Sequence, residues 1–327
     1  MPTTILASRY NTLRNNVNLV LGTSAASSPQ YGYGQSFSTN SVVGTRSVVE
    51  PSDATKVSAQ DYEDLYIDLI RTRSHQVGAT LSIDDFVIGD YDTNEATADK
   101  IEESYVAGLE SLAANIISDK FTVASVNLTV ANDSTASSTR AGSSTWNGSI
   151  SHIFTTTFNT DIERRHFFNA GGEIRFSASV DYTGSQPKTV DWQTILNAMG
   201  STSFKATSTA NNSGVGAATN TGNYDLTSSY QLVYSRDGGA VYANNEYRIW
   251  AREYTTGNST SAIQFKVEFV DGSPNDPTWG IDEVVSGTFN SNVQTATPNS
   301  QITINSTVHD AVIINNTPVG TIVRTLS

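Results

Sequence analysis

The stretch 164-RRHFFNAGGEIRFSASVDYTGSQPKTVDWQTILNAMG-200 decides how this chain reads. Arg164 to Phe168 form a short, partly apolar helical turn, and Gly171 and Gly172 can supply the positive φ that ends it. Ile174, Phe176, Ala178 and Val180 then alternate as a strand. Trp192, Ile195, Leu196 and Met199 recur at spacings of three and four before Gly200, which predicts a second short helix capping the same sheet. The block is thus a helix-to-strand corner framed by Phe167, Phe168, Gly171, Gly172 and Trp192. It carries aromatics and glycines and no catalytic set, so its role is shape.

Upstream of the corner the hydrophobic period is helical. Leu6, Tyr10, Leu13, Val17 and Leu21 stripe a first helix over Ile5 to Leu21, stopped by Gly22. From Gly22 to Val57 the composition turns to Ser, Gly, Tyr and Pro, an extended arm or long loop. Ser58 with Asp61 resembles a capping box, and Tyr62, Leu65, Tyr66, Leu69 and Ile70 give the second helix one buried face. Ile101, Tyr105, Leu109, Leu112, Ala113 and Ile116 predict a third helix from Thr97 to about Asp119.

After Lys120 the period changes to two. Phe121 and Val123, then Val126, Leu128 and Val130, alternate in two phases with a bulge expected at Ser125. His152 to Phe158, Tyr230 to Tyr234, Tyr247 to Ala251 and Ile263 to Phe269 read as further strands, the last two joined as a hairpin across TTGNSTS. Gln301 to Ile304, Ala311 to Ile314 and Thr321 to Leu326 complete the set. The fold class expected is α+β: a helical region over 1–119, with an arm at about 22–57, followed by a mainly antiparallel β-sandwich over 120–327.

Composition restricts the chemistry. A net charge of −13, from 32 acidic against 19 basic residues, argues against a phosphate-contacting face and hence against direct nucleic-acid binding. No cysteine means no disulfide, thiolate nucleophile or Cys-bound zinc. No apolar run approaches the length of a membrane span and the start lacks a signal-peptide pattern, so no membrane insertion is expected. The four histidines, His75, His152, His166 and His309, have no metal-ligand spacing; His75 is placed at a helix end, where a cation suits the dipole. Asp90, Asp92 and Asn94 copy the start of a calcium loop, but Glu95 stands where the loop needs Gly and Ile101 where it needs the bidentate Glu. Asp282 and Glu283 beside Trp279 could edge a sugar platform, yet neighbouring strand residues point to opposite faces. No nucleotide loop or nucleophile elbow is present. Catalytic, cofactor and metal residues are therefore none.

The segments ILASRYNTLRNNVNLVLG, VSAQDYEDLYIDLIRTRSHQVG, RRHFFNAGGEIRFSAS with VDWQTILNAMG, and AREYTTGNSTSAIQFKVEFVD resemble uncharacterised virion structural proteins of tailed phages, especially those of cyanobacteria. HFFNAGGEIRFSAS is the most specific piece. The resemblance implies a non-enzymatic capsid-, neck- or tail-associated protein, assembled in the host cytoplasm, with other virion proteins and copies of itself in a ring or trimer as partners. Leu13, Val17, Tyr31, Tyr33, Phe37, Tyr62 and Tyr66 are the candidate assembly contacts. The alternatives are a receptor- or polysaccharide-binding tail protein, supported by exposed-looking Tyr242, Tyr247, Trp250 and Tyr254 although alternating aromatics in strands are more often core or cross-strand pairs, and a polysaccharide-degrading tail enzyme.

Overall fold

The computed structural model describes residues 7–21, 59–78, 103–141, 146, 148–159, 161–256, 259–273, 284–299, 301–304, 307–310 and 323–326. In chain order these form α1 (Ala7–Leu21), α2 (Ala59–Val77), α3 (Glu103–Ser118), β1 (Leu128–Arg140), β2 (Gly148–Thr157), α4 (Asp161–Asn169), β3 (Glu173–Asp181) and α5 (Pro187–Met199). There follow β4 (Ser201–Phe204), β5 (Thr209–Ser213), β6 (Ala217–Ala218), β7 (Gln231–Asp237), β8 (Glu246–Thr256) and β9 (Ser259–Asp271). Last come β10 (Gly287–Pro298), β11 (Gln301–Ile304), β12 (Thr307–Asp310) and β13 (Val323–Leu326). The class is α+β, and the chain divides into two compact units.

The first unit comprises Met1–Thr129, Asn169–Gly171 and Pro298–Pro318. Its helices bury the stripes that the sequence predicts: Tyr10 and Leu13 from α1, Tyr62, Leu65 and Leu69 from α2, and Val106, Leu109 and Ile116 from α3. Tyr10 meets Tyr62 edge-on at 5.2 Å, and Arg9 clasps Glu110 and Glu103 across α1 and α3. The C-terminus of α2 shows how orphan carbonyls are satisfied. Gly78, at φ +70°, donates its N–H to Ser74 O, while Ala124 N and Asn127 Nδ2 both donate to His75 O. His75 itself is fully buried and donates from Nε2 to the Ala170 carbonyl at 3.2 Å. The β11–β12 hairpin lies against α2.

The second unit, Val130–Phe168, Gly172–Thr297 and Val319–Ser327, is a sandwich of two sheets. One has the order β1-β10-β3-β4-β5 and the other β13-β2-β9-β8-β7-β6. Phe176 of β3 and Phe204 of β4 meet Phe265 of β9 at 5.0 and 5.1 Å, and Phe289 of β10 meets Phe269 of β9 at 5.2 Å, so the sheets share one aromatic core. The hairpin expected at TTGNSTS joins β8 to β9 with Thr256 opposite Ser259.

The corner also has the expected form. Asp161 opens α4 and pairs with Arg164 at 2.8 Å and Arg165 at 3.0 Å, which favours the helix at its positive end. Phe167 and Phe168 turn inward to Phe158 and Phe204. Gly172 returns its N–H to Phe167 O, and a Cβ there would lie 2.6 Å from that same oxygen. Pro187 pre-sets the first turn of α5. Its Trp192 packs on Trp146, Phe269 and Phe289, and Gly200, at φ +61°, ends the helix.

Some expectations change. Phe121 and Val123 are not in a strand: Phe121 takes φ +67°, and Ser125–Asn127 form a 3-10 turn where a bulge was expected. In β7 the register shifts between Leu232 and Tyr234, so Val233 and Tyr234 are both buried and Leu232 is not. The strands β4, β5, β6, β10 and β12 have no counterpart in the sequence reading. The stretch Ala311 to Ile314 and the arm at 22–57 lie outside the described residues.

Candidate functional site

Strand parity sorts the aromatics of β8 into two sets. Tyr247, Ile249 and Ala251 point into the core, whereas Arg248, Trp250, Arg252 and Tyr254 occupy the opposite face. Tyr247 is completely buried, as is common for an aromatic that alternates in a strand, and Tyr242, in the turn before β8, is buried too, so neither serves a glycan platform. Burial pushes the Tyr247 hydroxyl well above the usual tyrosine range, as it does that of its neighbour Tyr234, to about 12.

Trp250 and Tyr254 belong to an outer shelf that Tyr230 completes. The Arg252 guanidinium lies 4.5 Å from the Tyr230 ring centre and 5.3 Å from that of Tyr254. Lys266, opposite Trp250 across the β8–β9 ladder, sits 5.1 Å from Tyr230 and 5.3 Å from Trp250. Gln264 Oε1 accepts from Tyr230 Oη at 2.7 Å and from Arg252 Nη2 at 2.7 Å, and Trp250 Nε1 donates to Glu268 at 2.6 Å. Burial pushes the Tyr230 hydroxyl up, with Arg252 acting against it. The shelf alternates ring faces and cations held in place by one amide and one carboxylate. Such a surface can stack on the apolar face of a sugar or on a planar side chain.

The outer face of the five-stranded sheet differs in kind. Thr139 meets Thr288, Ser137 meets Asn290, Thr135 meets Asn292 and Asn132 meets Gln294, all side chain to side chain between β1 and β10. Asn290 reaches on to Asp181 of β3 at 2.8 Å. Apart from that carboxylate the four pairs are neutral, while Arg175 of β3, opposite Gln294 on the same face, pairs with Glu173 at 2.8 Å.

Two buried polar clusters, at His152 and at Lys188–Asp271, lie inside the sandwich, and a third, at Glu173, lies on the outward side of β3. His152 of β2 bridges Ser138 of β1 and Ser291 of β10 at 2.9 Å each, and burial holds its pKa below the usual value, keeping the ring neutral. Glu173 is 6 % exposed; burial alone would raise its pKa, but Lys205, Ser203 and Arg175 together hold it below the usual carboxylate value. Lys188 and Asp271 pair at 2.7 Å with almost no exposure.

Leu13 and Tyr62 are buried in the helical unit, and Tyr66 is half-buried. The side chain of Val17, and all of Tyr31, Tyr33 and Phe37, lie outside the described residues, as do Asp90, Asp92, Asn94, Trp279, Asp282 and Glu283. Among the described residues no three His, Asp or Glu side chains converge to hold a metal, and no helix is long and apolar enough to cross a membrane. The outer shelf was half visible in sequence: the alternation of Arg248, Trp250, Arg252 and Tyr254 opposite Gln264, Lys266 and Glu268 separates it from Tyr247. Nothing in the sequence links Lys188 to Asp271. Comparison with protein-family models, with curated proteins and with solved structures finds no match for this chain.

Proposed function

We propose that the chain is a non-enzymatic structural protein of a virus particle, a neck- or tail-associated component of a tailed phage. The observation that carries the structural role is the chemistry of the sandwich surface. One outer face ties Arg252 and Lys266 to its own aromatics, and the other presents a Ser/Thr/Asn ladder between β1 and β10, with the neighbouring Arg175 paired to Glu173. A face of that kind packs against a copy of itself with little charge to desolvate. The phage assignment rests on the resemblance of HFFNAGGEIRFSAS and its companion segments. In this reading the helical part and the arm with Tyr31, Tyr33 and Phe37 dock to other virion proteins or to sister copies in a ring or trimer, inside the host cytoplasm. Mass spectrometry of gradient-purified particles tests it: the chain is expected at a fixed copy number, and its absence from particles overturns the proposal.

The shelf of Tyr230, Trp250 and Tyr254 favours a second reading, binding of a host glycan. The chain applied to a glycan array should then bind a defined subset, and Trp250→Ala should abolish binding with the fold intact. An array without signal removes this reading and leaves the first untouched.

A further inference from the structure

Lys188 and Asp271 are an unusual pair for a sandwich interior. Their side chains are 2 % and 0 % exposed, and Lys188 Nζ lies 2.7 Å from Asp271 Oδ2. Lys188 follows Pro187 in the first turn of α5, and Asp271 closes β9. One turn along the helix, the fully buried Trp192 meets the fully buried Phe269, two residues back on the strand, at 6.0 Å. Helix and strand thus run side by side, with an aromatic contact next to the charges.

A dry, aromatic setting penalises both charged forms. Burial pushes the Asp271 carboxyl up, against the Lys188 ammonium and the Ser273 backbone N–H, which pull it down. Transfer of one proton from ammonium to carboxylate cancels both charges and leaves a neutral amine facing a neutral carboxylic acid. Those are a nucleophile and its electrophile, with Nζ already 2.7 Å from an oxygen of the carboxyl group whose carbon it would attack.

We propose that Lys188 and Asp271 are joined by an intramolecular isopeptide bond. Lys188 Nζ attacks Asp271 Cγ and the carbon–nitrogen bond forms. The acid hydroxyl leaves with a proton from the nitrogen, as water. Ammonium and carboxylate become one amide and one water, with no oxidant, reductant or cofactor required. Exclusion of bulk water favours condensation over hydrolysis. The Ser273 carbonyl, 3.4 Å from Nζ, is placed to accept the hydrogen bond of the new amide N–H. The link ties the start of α5 to the end of β9 in a chain that has no cysteine for a disulfide.

Intact-mass spectrometry of the purified, denatured chain tests the bond. The wild type should be lighter than its sequence mass by one water, and trypsin should fail to cut after Lys188, yielding a branched peptide that contains Asp271. Lys188→Arg should restore the full sequence mass, and Asp271→Asn should lose one ammonia in place of one water. A wild-type mass equal to the sequence mass, with tryptic cleavage after Lys188, overturns the proposal whether or not the variants fold.

Discussion

Replacing Trp192 by Ala probes the centre of the sandwich, because that one ring is packed by three others. Trp146, Phe289 and Phe269 lie 5.6, 5.7 and 6.0 Å away, and Trp192 has no exposure. Truncation to Ala removes the buried ring and leaves its neighbours facing a cavity, a change that costs about 3–5 kcal/mol for a fully buried aromatic. With a guanidinium slope of about 5 kcal/mol/M for a protein of this size, the unfolding midpoint should fall by about 0.6–1 M. Trp250 supplies the control, since it is the same residue type on the outer face, where its indole meets solvent, Glu268 and Lys266. Trp250→Ala loses a hydrogen bond and a cation–π contact and should cost about 1–2 kcal/mol. Guanidinium unfolding of both variants, followed by far-ultraviolet circular dichroism, reads the difference. Equal midpoints for the two variants, or a Trp192→Ala shift below about 0.2 M, would refute the assignment of Trp192 to the shared core.

Further perturbations reach other parts of the fold. Gly172→Ala should destabilise the sandwich by about 2 kcal/mol or more, because its Cβ collides with the Phe167 backbone oxygen, and thermal melting checks this. His152 has a folded pKa below its ordinary 6.5, so the unfolded chain takes up protons first as pH falls. Its contribution is therefore present in full above that value and declines as pH drops through and below it. His152→Gln should flatten that part of the stability–pH curve. Glu173, whose folded pKa lies below its ordinary 4.5, contributes stability above that value and loses it as pH falls through the folded pKa. Glu173→Gln should remove this acid dependence and cost about 1–3 kcal/mol near neutral pH, read from denaturant melts. Asn127→Ala leaves the Ser74 and His75 carbonyls short of a donor and should lower the stability of the helical unit by about 1 kcal/mol, seen as faster hydrogen exchange at the end of α2.

The helices and the corner were legible because their signals are local. A stripe at three- and four-residue spacing and a Gly after the last turn each act within one element, and α2, α4 and α5 appear where those signals stand. β10 was invisible for a physical reason: its inward positions include Ser291 and Thr295 beside Phe289 and Val293, so its apolar alternation is broken by small polar residues. Ser291 is accepted inside because it meets His152, a partner far away in sequence. The bulge in β7 moved Val233 inward, which no count of alternation foresees. The outer shelf and the Lys188–Asp271 pair needed strand register and helix placement, and both are tertiary facts. His75 was read as a cation at a helix end, but the chain places it in the interior and satisfies the helix with Gly78, Ala124 and Asn127 instead.

The helical unit is assembled from three separate stretches of chain, Met1–Thr129, Asn169–Gly171 and Pro298–Pro318. The sandwich likewise needs β13, which follows the last stretch of the helical unit in the chain. Neither unit is therefore a contiguous segment, and no single cut separates them. Residues 1–297 complete neither unit, because the helical one still lacks Pro298–Pro318 and the sandwich still lacks Val319–Ser327. Reporter tags or affinity handles placed between Asn169 and Gly171 would interrupt both units at once, whereas a split at Thr129 would sever only the continuous leading part of the helical unit from everything that follows.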